Sequence, residues 1–189
     1  MYKRQEDWLL SFDEVQSGNG RCGALYVFQR LGIVPDVLAT AKGLGNGLPI
    51  GACMARGRAS DLLVAGDHGT TYGGNPICCA AASAVINALS ADQLWDRADI
   101  IRTAIFEGLD SEIADGDLIR DRRGLGLMIG IEPTVPTDNL VRMALDRHVL
   151  INVAGGNTIR LLPPLVMSTD DARRVGATVA DIVNSLKDA

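Results

Sequence analysis

The chain has 189 residues, 47% of them hydrophobic and 22% charged, with a net charge of -5 and a pI near 5.0. That is enough apolar content for a sizeable core over one or two domains. The acidic balance gives no electrostatic reason to expect nucleic acid or an anionic membrane as partner, and the longest apolar run, Pro76–Leu89, is too short to span a bilayer, so small-molecule chemistry is the favoured class.

The opening "MYKRQ" (Met1–Gln5) resembles the translation of a sequencing-library adapter and is set aside as a scar, with Glu6 as the first residue of interest. "DWLLSFDEV" (Asp7–Val15) then predicts a buried strand, and the Ser-Gly-Asn-Gly after it is turn chemistry. Asp13 therefore belongs near a strand's carboxyl end, the edge at which open α/β sheets bind ligands. A short helix is expected over Ala24–Gly32 and a second strand over Pro35–Ala41, running into the glycine-rich "KGLGNGLPIGA" (Lys42–Ala52). "HGTTYGGNP" (His68–Pro76) reads as a loop whose Asn75 caps a helix with proline at its first position, extending to about Leu89.

From Asp92 to about Ala114 the apolar residues Leu94, Ala98, Ile101, Ile105, Leu109 and Ile113 recur every three or four residues, which marks a long amphipathic helix joining two domains. A strand over Leu118–Glu132, a helix over Thr137–Val149, strands over Leu150–Gly155 and Thr158–Pro164, and a closing helix capped by Ser168 complete the chain. Strands and helices alternate, so the class is α/β, with a partial large domain over 6–92 and a small domain over 93–189. Cys22, Cys53, Cys78 and Cys79 lack metal-ligand spacing and are expected to be reduced thiols acting as small core residues; no metal site is expected. His68 is read as a loop residue and His148 as a helix-end residue, neither with a catalytic role.

Lys42 stands among Gly43, Gly45 and Gly47, with room around it for another molecule, and a lysine amine can form a Schiff base when its pocket favours the neutral form. On that stretch alone it reads first as a solvated loop lysine, and the spacing is not that of a P-loop. Asp13, alone, is equally a turn residue capping nearby backbone. Together they fit a sharper pattern, because pyridoxal phosphate chemistry needs a carboxylate at the pyridine nitrogen and a lysine at the aldehyde end. Arg160, alone, is an ordinary ion-paired or surface strand residue, although its planar guanidinium suits a carboxylate.

The blocks "FDEVQSGNGRCG", "PDVLATAKGLGNGLPIGA", "HGTTYGGNP" and "TIRLLPPL", in this order, resemble the class III (ornithine-type) pyridoxal phosphate aminotransferases from about Asp7 onward, most nearly those acting on N-acetylornithine. The resemblance implies a fold-type I transferase, present as the C-terminal part of its large domain plus the small α/β domain. It also implies that Asp13 meets the pyridine nitrogen, Val15 packs on the ring, Gln16 reaches toward the ring's phenolic oxygen, and Lys42 holds the cofactor and moves the proton. Thr71, with Thr70 beside it, would bind the phosphate of a partner's cofactor across a homodimer boundary, and Arg160 would hold a substrate carboxylate. Amino-acid and 2-oxo-acid substrates, a cytoplasmic setting and a place in arginine biosynthesis follow from the same likeness.

Two departures accompany it. Cys22 stands where the family has a hydroxyl residue, which touches a minor turn contact. The family's N-terminal phosphate loop, the aromatic residue on the other ring face and an arginine for a distal carboxylate have no counterpart. The chain is thus expected to be a truncated portion, either of an active parent or catalytically silent when isolated. Other ω-amino substrates, namely ornithine, succinylornithine and 4-aminobutyrate, remain open.

Overall fold

The computed structural model describes residues 5–187, so most of the Met1–Gln5 expectation lies outside the described residues. The chain divides into two compact units, Met1–Trp95 and Asp96–Ala189.

In the first unit, β1 (Ser11–Asp13) runs parallel to β2 (Val37–Thr40), and β2 pairs antiparallel with β3 (Ala52–Ala55), giving the order β1-β2-β3. The buried strand expected over Asp7–Val15 needs correction. Only Ser11–Asp13 pairs, Trp8 is 65% exposed, and β1 is an edge strand whose one sheet neighbour among the described residues is β2. Between β1 and β2 lies α1 (Val27–Leu31), ended by Gly32 in the left-handed region at φ 63°. β3, which begins at the last residue of the glycine-rich stretch, was not expected as a strand.

The helix α2 (Pro76–Ala91) starts as expected. Asn75 Oδ1 accepts from the Cys78 backbone N–H at 3.0 Å, and Pro76 takes the first helical position, where its missing N–H leaves no bond unmade. Cys78, Ala82 and Leu89 are its buried residues, while Ile77 is exposed. Of the four cysteines, Cys22 and Cys78 are buried and Cys53 and Cys79 are exposed, so the expectation of core cysteines is corrected at the latter two.

The second unit is a sheet backed by helices. The long helix expected from Asp92 begins later, as α3 (Arg97–Glu112) after a short 3-10 turn at Leu94–Asp96. Its stripe of Ala98, Ile101, Ile105 and Leu109 is buried. The stretch read as one strand over Leu118–Glu132 is a hairpin: β4 (Ile119–Leu125) and β5 (Met128–Pro133) are joined by a two-residue turn in which Gly126 has φ 54°. After α4 (Leu140–Asp146) come β6 (Asn152–Ala154) and β7 (Thr158–Leu161), completing the antiparallel order β4-β5-β7-β6.

The closing α5 (Thr169–Ser185) is capped by Ser168, whose Oγ accepts from the Asp171 N–H at 3.0 Å. Ile129, Ile131, Ile159 and Leu161 join α3 and α5 in one core. The helices meet closely: a Cβ on Gly108 would lie 2.0 Å from the Arg173 carbonyl oxygen, and one on Gly176 would lie 1.9 Å from that of Ile105. Strand alternation sends Gly130 and Arg160, paired across β5 and β7, to the face opposite this core.

Candidate functional site

The parallel pairing of β1 and β2 sets their carboxyl ends side by side, with Asp13 opposite Ala39, and the Glu14 N–H extends the ladder to the Ala39 carbonyl at 2.8 Å. Asp13 ends β1 at the sheet edge, exposed, with Oδ1 accepting from the Val15 N–H at 3.0 Å. The turn reading of Asp13 is therefore correct for that oxygen.

Glu14 points the other way and is 1% exposed. Its carboxylate accepts from the backbone N–H groups of Val27 at 2.6 Å and Phe28 at 2.9 Å, and from Ser17 Oγ at 3.3 Å. Charge-assisted bonds of this kind offset the loss of hydration and tie the turn after β1 to the start of α1.

Lys42 follows β2 at the same edge. It takes up φ 46°, a conformation that costs a non-glycine residue about 1 kcal/mol or more, and opens a 3-10 turn at Lys42–Leu44. Its Nζ donates to Gln16 Oε1 at 3.3 Å, which joins the loop after β1 to the loop after β2.

Two of the three glycines beside it serve another purpose than the one expected, whereas a Cβ on Gly47 would meet nothing within 4 Å. A Cβ on Gly45 would lie 2.1 Å from the Leu48 carbonyl oxygen and one on Gly43 would lie 3.3 Å from Asn19 Cβ, so at both positions protein already occupies the space. Asn19, 7% exposed, lies against this turn with Nδ2 donating to Thr40 Oγ1 at 3.1 Å and to the Ala41 carbonyl at 3.0 Å. Partial burial lowers the pKa of the nearby Arg21 guanidinium from its ordinary value.

Asp13, Val15, Gln16 and Lys42 are thus placed on one sheet edge. Thr70 and Thr71 lie in an exposed loop of the same unit, where Thr70 Oγ1 accepts from the Gly73 N–H at 3.1 Å. No hydrogen bond among the described residues links either threonine to Lys42, Gln16 or Asp13.

Arg160 belongs to the second unit. There it lines a cavity of about 220 Å³ with Arg123, Met128, Gly130, Thr158 and Leu162, and its Nε is buried with no partner among the described residues. Arg123 bonds to Asp121, to Glu132 at 3.2 Å and to Thr158 Oγ1 at 3.0 Å. The hydrogen bond it donates to Asp121 first, and then the one it donates to Glu132, raise its pKa above the ordinary arginine value.

Glu14 and Asn19 are the residues of this site that the sequence reading missed. An acid directly after the strand-end Asp13 and an asparagine between two glycines were the available signals; the first was read as part of the strand and the second as turn chemistry.

The aminotransferase class-III family model matches residues 2–183. Acetylornithine aminotransferase from Agrobacterium fabrum is 42% identical over 184 residues, covering 96% of this chain and 46% of that enzyme. Among solved structures, acetylornithine aminotransferase from Elizabethkingia anophelis superposes with a TM-score of 0.87 at 30% identity, covering 97% of this chain and 47% of its own. An ornithine aminotransferase from Toxoplasma gondii, crystallized with oxidized glutathione and described as having partial PLP occupancy at its active site, gives 0.90 at 29% identity, covering 98% and 45%. The chain spans about half the length of the relatives it matches.

Proposed function

Because this chain belongs to the class III aminotransferases, a fold-type I family that works with pyridoxal phosphate, we propose that it contributes to transamination of N-acetylornithine, or a close ω-amino substrate, with 2-oxoglutarate in arginine biosynthesis. In this reading the first unit is part of a large cofactor-binding domain and the second is the small domain. The observation that carries it is the Lys42 to Gln16 hydrogen bond at the sheet edge where Asp13 ends β1.

The donor set fits the cofactor. An exposed amine, an exposed carboxylate and an amide share one edge, and Asp13 Oδ2 is not engaged by the turn that holds Oδ1. When bound, pyridoxal phosphate supplies an aldehyde that accepts the amino group and a pyridinium ring that withdraws electrons from the substrate carbon. Asp13 keeps the ring nitrogen protonated through its carboxylate. Val15 packs on the ring and Thr70 and Thr71 offer hydroxyls to a phosphate, in a homodimer across the subunit boundary.

The Lys42 amine, once neutral, takes the proton from the carbon that bears the amino group and returns it to the acceptor carbon. Gln16, by accepting a hydrogen bond from Nζ, orients that amine. Arg160 holds a substrate carboxylate by two parallel hydrogen bonds and so fixes the amino group in place.

The coverage of about half of each relative favours a second reading for the isolated polypeptide, in which it is catalytically silent. Pyridoxal phosphate added to the purified chain is expected to give a visible absorption band that Lys42→Ala abolishes. A band that survives Lys42→Ala would contradict the assignment of Lys42. Release of glutamate from N-acetylornithine and 2-oxoglutarate separates the two readings.

A further inference from the structure

Asn19 has an environment that the chemistry above does not explain. It is buried, and it sits at φ 56°, in a region that asparagine tolerates better than most residues. Its two amide hydrogens go to Thr40 Oγ1 and to the Ala41 carbonyl. Its Oδ1 is buried with no hydrogen-bond partner among the described residues.

The Ala41 carbonyl decides the direction of the amide, because turning it over would set oxygen against oxygen. That carbonyl belongs to the peptide between Ala41 and Lys42, the plane from which Lys42 departs at φ 46°. On the far side of Lys42, Gly43 leaves the space that the Asn19 side chain fills, since a Cβ there would come within 3.3 Å of Asn19 Cβ. One side chain therefore braces the backbone on both sides of the lysine. A position requiring only left-handed backbone would be served by glycine, as the adjacent Gly20 at φ 85° is. What asparagine adds is the donor pair, and it carries an unmatched acceptor to provide it.

We propose that Asn19 is a positioning residue for Lys42: its side-chain amide holds the Ala41–Lys42 peptide in the orientation that presents the lysine amine to Gln16 and to the aldehyde of pyridoxal phosphate. This rests on the role of Lys42 given above.

The full chain treated with pyridoxal 5'-phosphate and sodium borohydride tests both. The lysine amine condenses with the aldehyde, releasing water, and hydride reduces the C=N bond to a stable secondary amine. The sequence has three lysines, Lys3, Lys42 and Lys187, so peptide mass mapping reads the Lys42 to Lys187 labelling ratio within one sample. Wild type should label Lys42 preferentially. Asn19→Asp, which keeps the shape and reverses the donor, and Asn19→Gly, which keeps only the backbone freedom, should each lower the ratio about fivefold, the factor for one ordinary hydrogen bond.

Trypsin cleavage after Arg21, Arg30 and Arg56 in the same unit should stay at its wild-type rate in these variants. Faster cleavage at all three would show general loosening and overturn the positioning role. Ratios within about twofold of wild type, less than one hydrogen bond's worth, would overturn it while leaving Lys42 as assigned. No preference for Lys42 in wild type would overturn both. If the Asn19 variants lose their far-UV helical signal, Gly43→Ala, which presses on Asn19 Cβ, must lower the ratio; an unchanged ratio overturns the proposal.

Discussion

Glu14 is a carboxylate withdrawn from water and answered by two backbone N–H groups and a hydroxyl. Glu14→Ala leaves those donors unanswered and is expected to cost about 3 kcal/mol, the upper range for hydrogen bonds to a charged group. Trp8 and Trp95 both lie in the first unit, so urea unfolding followed by tryptophan fluorescence reads this loss directly; a cost below about 1 kcal/mol, that of one neutral hydrogen bond, would show the bonds to be dispensable. The places of Asp13 at a strand end and Lys42 in a glycine-rich loop were legible in the sequence because both are local patterns. Glu14 and Asn19 were not, because their partners lie up to 14 and 22 residues away and appear only when the loops fold together. Two of the glycines around Lys42 misled for the same reason: Gly43 and Gly45 accommodate protein, whereas Gly47 faces open space.

Among the elements, α5 was the most legible, since capping and periodicity are both local; Ser168 and the buried face of Ala172, Val179 and Val183 agree with the pattern. Ser168→Ala should cost about 1 kcal/mol in the thermal unfolding of the second unit. Gly176→Ala drives a methyl into the Ile105 carbonyl and should cost about 3 kcal/mol or more, whereas a loss under about 1 kcal/mol would mean that the two helices can part without penalty. The hairpin of β4 and β5 was merged into one strand because apolar residues continue through its turn; Leu127, in that turn, is fully buried. β3 escaped notice because a short strand with every residue exposed has no alternation to reveal it. At the foot of α3, the N–H of Asp117 first, and Lys187 next, lower the Asp115 pKa. Its small stabilisation is present above the ordinary carboxylate range and fades as pH falls through the lowered value, so Asp115→Asn should lower stability slightly at neutral pH, leave it unchanged well below the lowered value, and so flatten the acid limb of the stability curve.

For the whole molecule, the two units differ in how they treat apolar surface. The second unites α3, α5 and the sheet in one core and leaves Leu150 and Val166 more than 60% exposed, whereas the first leaves Trp8, Leu62, Leu63, Val64 and Ile77 each at least 60% exposed. Size-exclusion chromatography with light scattering is expected to show concentration-dependent association of the full chain, and residues 96–189 alone should remain monomeric and unfold cooperatively. A monodisperse full chain across the micromolar range would contradict this account of the first unit. Alternation of strands and helices made the α/β class readable, and the four motif blocks made the family readable. Burial was not readable, because it depends on which faces find a neighbour.

The central claim is that Asp13 and Lys42 hold opposite ends of one pyridine ring. The ¹⁵N chemical shift of the ring nitrogen, in the chain carrying ring-labelled pyridoxal phosphate reductively attached to Lys42, tests it most directly. The account predicts a protonated nitrogen at neutral pH in wild type and a deprotonated one in Asp13→Ala. The same shift in both proteins would contradict it.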